Sequence, residues 1–284
     1  MIHVDDLRFT YPGSDAPTLH GLGFEVHEGE IFGFLGPSGA GKSTTQNILI
    51  GLLRGWQGSI QVLDKALASW GRDYYGHIGV SFELPNHYLK LTARENLEYF
   101  RALYQHDTAS SEEVMALVGL AGELDKPVAA FSKGMKNRLT LARSLLSRPT
   151  LWFLDEPTAG LDPVNAVKVR ELVKARRAQG VTTLITTHDM LVADDLCDRV
   201  AFIVDGTLVE CDAPESLKRR YGKREIVVQY GPEDSPNNAR FPLDGVGEQT
   251  EFLRILREEP LLSVHSQETT LEDVFVQVTG RSLR

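Results

Sequence analysis

Residues Gly36, Pro37, Ser38, Gly39, Ala40, Gly41, Lys42 and Ser43 match the spacing GxxxxGK[ST]. An apolar run over residues 30–35 leads into this octet, and helical periodicity over 42–53 leads out of it. A strand, a glycine-rich turn and a helix in that order leave few folds open. The glycines let successive backbone N–H groups curl inward toward phosphate oxygens. The helix start adds the positive end of its dipole. Lys42 supplies a fixed charge for the β/γ-phosphates, and the Ser43 hydroxyl is a candidate Mg²⁺ ligand. A plain glycine-rich turn before a helix is the competing account, but such a match arises by chance only roughly once in a hundred chains of this length.

The rest of the chain alternates short apolar runs with helical periodicity, which predicts an α/β fold. Strands are expected at 3–11, 23–27, 60–63, 78–82, 151–154, 183–186, 200–204 and 208–211. Thr92 and Glu95 predict a capping box opening a helix over 92–104. A second helix is expected near 112–118, a third after Phe131-Ser132-Lys133-Gly134-Met135, a fourth over 164–179 and a fifth over 189–197. Composition changes after Tyr221. Residues 231–245, rich in Gly, Pro and Asn, read as a loop or insertion. Strand character returns near 226–230 and 262–265.

Four further places carry chemistry. The apolar run Leu151-Trp152-Phe153-Leu154 ends in Asp155 and Glu156. Beside a phosphate loop, the first acid suits Mg²⁺ and the second suits the polarisation of an attacking water. Ser132 and Gly134 open a helix, either as an ordinary cap or as a second anion-binding end. His188 follows a strand of β-branched residues, and Tyr11 ends the first strand. Singly, each of these has an ordinary structural explanation.

Charge and cysteine content narrow the partners. With 30 Lys+Arg against 39 Asp+Glu, the formal net charge is −9, which excludes a bare polycationic nucleic-acid binder. Cys197 and Cys211 cannot build a disulfide framework; they are expected as buried thiols in a reduced compartment. No apolar stretch approaches the roughly 20 residues of a membrane-crossing helix. Acids in the first nine residues lead us to expect no secretory leader.

In their order, these segments resemble the nucleotide-binding subunit of an ATP-binding cassette (ABC) transporter, over about residues 2–221. Residues 36–44, including Thr44, are similar to its Walker A loop, and 151–156 to its Walker B strand with the catalytic glutamate. Phe131-Ser132-Lys133-Gly134-Met135 sits where the family has its signature, Ala159-Gly160-Leu161-Asp162 where it has the D-loop, and Val80-Ser81-Phe82-Glu83 where it has the Q-loop. His188 resembles the switch histidine and Tyr11 the aromatic that stacks on adenine. Lys133 replaces a signature glycine, Met135 stands where many members have Gln, and Glu83 replaces the usual glutamine.

The resemblance implies a P-loop ATPase fold with a mixed-sheet core, an antiparallel β subdomain and a helical subdomain at about 84–148. The cassette would occupy 1–222, with a small α+β accessory domain over 223–284. It implies ATP as substrate and Mg²⁺ as its ion. Glu156, His188 and Lys42 would be catalytic. Tyr11, residues 36–44, Ser132 and Gly134 would bind nucleotide, and Ser43, Asp155 and Glu83 would lie at the metal. It further implies a head-to-tail pair of copies with ATP between them, docked on a separate membrane permease at the cytoplasmic face, with residues 84–89 as the docking segment. The ending Leu271-Glu272-Asp273-Val274-Phe275 resembles cassettes of type-2 exporters, including drug-resistance pumps. The alternative is a soluble ATPase of the same family acting on DNA or ribosomes.

Overall fold

Three sheets carry the chain in a computed structural model that describes residues 1–222, 225–267 and 269–281. The contacts divide it into one unit of Met1–Ala213 and another that starts at Pro214. The first unit runs β1 (Ile2–Phe9), β2 (Leu19–Val26), β3 (Ile31–Leu35), α1 (Lys42–Leu49), β4 (Gln57–Val62), β5 (Lys65–Ala66), α2 (Tyr74–His77), β6 (Ile78–Ser81), α3 (Ala93–Arg101), α4 (Ser111–Leu117) and α5 (Lys133–Ser144). It continues with β7 (Leu151–Asp155), α6 (Pro163–Ala178), β8 (Thr182–Thr187), α7 (Met190–Leu196), β9 (Arg199–Val204) and β10 (Thr207–Asp212). The second unit runs α8 (Pro214–Tyr221), β11 (Glu225–Tyr230), β12 (Asn237–Pro242), α9 (Thr250–Glu258), β13 (Leu261–Gln267) and α10 (Leu271–Thr279).

The central sheet has the order β10-β9-β3-β8-β7-β6; β10 is antiparallel to β9 and the rest pair in parallel. Parallel strands are covered on both faces, so they read as continuous buried runs. The segments IFGFL of β3 and TTLITT of β8 are buried throughout. An antiparallel sheet, β2-β1-β4-β5, lies against this core. Its alternating pattern buries Ile2, Val4, Leu22 and Phe24 and exposes their neighbours. Phe24 on β2 joins the two sheets, 4.8 Å edge-on to Phe34 and 5.9 Å stacked on Phe32.

The helices begin where the sequence signals them. The Thr92–Glu95 capping box is present on α3, and Ser132 Oγ accepts the Met135 N–H at the start of α5. Asp162 caps α6, with Pro163 in its first turn, where the missing N–H costs nothing. Helices α3, α4 and α5 all fall within residues 84–148.

The second unit is built on the sheet β12-β11-β13. Residues 237–242, part of the stretch read as a loop, form strand β12, and α9 also goes beyond the sequence reading. Asn, Arg and Pro are weak strand formers, so the pairing is tertiary in origin. Ala239 and Phe241 register with Val228 and Ile226 of β11, and Phe241 packs 5.3 Å from Phe252 of α9. Pro242 falls at the end of an edge strand, where no ladder donor is lost. Composition places the domain boundary at 222/223, while the contacts group α8 with the second unit, where it packs on α10.

Candidate active site

The strand order brings three chain segments to one edge of the sheet. β8 lies between β3 and β7, with Leu35 opposite Thr187 and Asp155 opposite Thr186. The loop after β3, the acids ending β7 and the residue after β8 therefore emerge side by side, at the carboxyl ends where open α/β sheets bind ligands.

Residues 36–44 wrap the start of α1. Gly41 caps that helix at φ +106, and Gly39 has φ +81, both left-handed conformations that favour glycine. A Cβ on Gly36 would lie 2.1 Å from the Ile203 carbonyl oxygen, so the loop needs glycine there for close approach. Lys42 is buried, and its Nζ donates to the carbonyls of Gly36 at 2.6 Å and Pro37 at 2.9 Å. Burial lowers its pKa, partly opposed by the charges of Glu156, Asp155 and Glu83. Ser43 is exposed at the start of α1, and Thr44 is buried. Tyr11 is 39% exposed; its hydroxyl bonds the Thr44 hydroxyl at 3.0 Å and its ring meets Phe9 edge-on at 4.9 Å. One face of Tyr11 is thus tied to the loop while much of the ring stays accessible.

Asp155 accepts a short hydrogen bond from the Thr186 hydroxyl. Burial raises its pKa, with Glu156 and Glu83 adding to the rise and Thr186 and Lys42 opposing it. Glu156 occupies the left-handed region at φ +46, a strained conformation for a non-glycine residue costing about 1–2 kcal/mol. Its carboxylate is held from two sides. Oε1 accepts from the His188 backbone N–H at 3.0 Å and from His188 Nδ1 at 2.6 Å, and Oε2 accepts from the Thr187 hydroxyl at 2.8 Å. Glu83 is exposed and, among the described residues, makes no hydrogen bond; it acts on Lys42 and Asp155 through its charge.

Ser132 and Gly134 stand apart from this group. No hydrogen bond among the described residues joins 132–135 to 36–44. Instead the first turns of α5 grip residues 159–161 of the same chain. Asn137 Nδ2 donates to the Ala159 carbonyl at 3.0 Å, and a Cβ on Gly134 would touch Leu161 at 3.5 Å. Gly160, at φ +69, lies under the Lys133 side chain, whose Cε and Nζ would be 3.2 Å from a Cβ there.

Thr186, Thr187 and Asn137 are the contributors that sequence reasoning passed over. The threonine-rich run of β8 was a visible signal, because buried hydroxyls at a strand end must find acceptors.

The oxygen donors present fit Mg²⁺. Among the described residues no group of three or more His, Cys, Asp or Glu side chains forms a metal cage. One hydroxyl and one carboxylate beside a phosphate cradle match an ion that keeps water and takes most of its ligands from the nucleotide.

A relative described as a fluoroquinolones export ATP-binding protein, from Mycobacterium tuberculosis, is 52% identical over 284 residues, covering 100% of this chain and 94% of its own. The chain belongs to the ABC transporter family. Residues 19–159 match that family, and 224–268 match a family described as the fluoroquinolone efflux ABC transporter C-terminal domain. A bacitracin transport ATP-binding protein of Bacillus licheniformis is 33% identical across 99% of this chain and 97% of its own. Among solved structures, the ATP-binding subunit of an ABC transporter aligns with TM-score 0.70 at 28% identity, covering 78% of this chain and 93% of that one. A dimeric cassette in a post-hydrolysis state with ADP and Pi aligns with TM-score 0.69 at 25% identity, covering 75% and 98%. The cassette is accordingly an ATP-binding and ATP-hydrolysing subunit with the ABC ATPase fold.

Proposed function

We propose that two copies of this cassette close head to tail on two ATP molecules and so drive export through a separate membrane permease. The observation that carries the reading is the clamped Glu156 carboxylate, one residue beyond Asp155 and held by residues at the end of β8, the strand between β7 and the one that feeds the phosphate loop. In this reading, residues 36–44 and Lys42 hold the phosphates and Tyr11 meets the adenine. Glu156 takes the proton of the attacking water while Thr187 and His188 fix its direction. Ser43 and Asp155 hold Mg²⁺, with Glu83 nearby; the ion supplies charge neutralisation on the phosphate oxygens. Ser132 and Gly134 serve the nucleotide of the other copy, which agrees with their separation from 36–44 within one chain.

Among the described residues no helix is long and apolar enough to cross a membrane, so the membrane step falls to the permease. Leu84, Tyr88 and Leu89 expose 74%, 49% and 50% of their surface, and Tyr88 meets Tyr99 edge-on at 5.2 Å; this exposed apolar segment serves docking at the cytoplasmic side. The export names of relatives favour transport over action on DNA or ribosomes, and a drug-like cargo in particular. The test is co-purification of the cassette with the membrane protein encoded beside it, followed by ATPase assays with candidate drugs. A cassette that binds no membrane partner and is instead stimulated by DNA or ribosomes would overturn the transport reading.

A further inference from the structure

Gln46 is a buried amide on α1, one helical turn beyond the buried Lys42 and on the same face of the helix. Lys42 reaches back to the phosphate loop, whereas Gln46 reaches β8, where its amide lies 3.3 Å from the Thr186 hydroxyl. Among the described residues Thr186 is the only hydrogen-bond partner of the Gln46 side chain. Ile48 and Leu49, further along α1, are ordinary apolar core. A polar group at such depth costs free energy unless its bonds are made, and an apolar residue would fill the space at no such cost.

The Thr186 hydroxyl has one proton and three oxygens within reach: Asp155 Oδ1, Gln46 Oε1 at 3.3 Å and the Leu154 carbonyl at 3.4 Å. Asp155 is the nearest and carries charge, so it takes the proton. An amide oxygen turned toward Thr186 would then meet a lone pair with no proton between. A half-turn of the amide puts the NH₂ group there instead, and that group has protons to give. Gln46 therefore donates to Thr186, and Thr186 donates to Asp155. Two bonds running in one direction polarise each other. They join the helix that carries the phosphate loop to the carboxylate that ends β7.

We infer that Gln46 is a positioning residue for metal binding: through the Thr186 hydroxyl it fixes the rotation of the Asp155 carboxylate relative to the phosphate loop. The inference rests on the assignment of Ser43 and Asp155 to Mg²⁺ made above. Ser43 lies on α1 three residues before Gln46. One short helix thus sets both ligands, Ser43 directly and Asp155 by way of Gln46 and Thr186. Mg²⁺ demands near-ideal octahedral geometry, so it is sensitive to how two such ligands are registered.

The test needs no turnover. Mn²⁺ replaces Mg²⁺, and its affinity for the intact chain loaded with a non-hydrolysable ATP analogue is read by electron paramagnetic resonance. Gln46→Leu is expected to weaken Mn²⁺ binding about three- to tenfold, while metal-free affinity for the analogue stays within twofold and the urea midpoint does not fall. Thr186→Val should weaken Mn²⁺ binding at least as much, and Thr186→Ser, which keeps the hydroxyl, should restore it. Because Gln46 acts through Thr186, adding Gln46→Leu to Thr186→Val should cost nothing further. Full additivity in that double variant, or a parallel loss of metal-free analogue binding and of urea stability in Gln46→Leu, overturns the inference in favour of plain core packing. Asp155→Asn separates the two levels. If it loses Mn²⁺ affinity and Gln46→Leu does not, the positioning role alone falls; if Asp155→Asn changes nothing, the metal assignment falls and the inference with it.

Discussion

His188 donates twice to a single oxygen of Glu156, through its backbone N–H at 3.0 Å and its ring Nδ1 at 2.6 Å. Because a carboxylate only accepts, the ring carries its proton on Nδ1. With Thr187 on the other oxygen, the glutamate cannot rotate without breaking charge-assisted bonds worth about 1.5–3 kcal/mol each. In the proposed role of base, a carboxylate held this way has its direction set before substrate arrives.

Glu156→Gln keeps the shape and most of these contacts but removes the basic oxygen. Turnover is expected to fall by about 10²- to 10⁴-fold while ATP affinity stays within a few-fold. The arrested form should run as a dimer in gel filtration with ATP and Mg²⁺. Phosphate release at the wild-type rate would remove Glu156 from the role of base.

Lys42→Ala deletes a buried charge together with two bonds that brace the loop, to the carbonyls of Gly36 and Pro37. ATP affinity measured by calorimetry is expected to weaken at least about tenfold, toward undetectable binding. Retained micromolar binding would place the nucleotide elsewhere.

Glu83→Gln removes a charge that raises the pKa of Asp155 and favours the protonated form of Lys42. The Asp155 carboxyl should then ionise at lower pH, shifting the acid limb of the ATPase pH profile downward. If Glu83 reports on the permease rather than serving hydrolysis directly, transport coupling should change more than basal hydrolysis, and equal loss of both would contradict that.

His87 gives a stability test. Burial, with help from the Arg143 and Lys136 charges, holds its pKa at about 4 against an ordinary 6.5; the bond to the Lys136 carbonyl opposes this. The folded state therefore binds the proton less readily than the unfolded chain. Its contribution is complete above pH 6.5 and is lost as pH falls toward 4, by on the order of 2 kcal/mol. Urea melts between pH 4 and 7 should show this slope, and His87→Met should flatten it.

The local parts of the fold and of the site were legible in the sequence because their chemistry is local. The phosphate loop, the acids ending β7 and the Thr92 capping box each sit in a short window. The clamp on Glu156 was not, because it joins residues 32 positions apart and depends on β8 lying between β3 and β7. No short window encodes strand order. β12 was hidden for a related reason: Asn237–Pro242 takes its strand form from pairing with β11 and from Phe241 packing, against the preference of its own residues.

Lys133 resting on Gly160 ties two positions into one structural unit. While lysine stays at 133, any larger residue at 160 must both displace an alkyl chain and adopt a left-handed turn. Glycine at 133 would lift the first constraint and keep the second, opening position 160 to asparagine or aspartate before other residues. Grafting the common signature glycine into this cassette therefore loosens a neighbouring loop as well as removing a charge, and the two effects separate only when both sites are varied together.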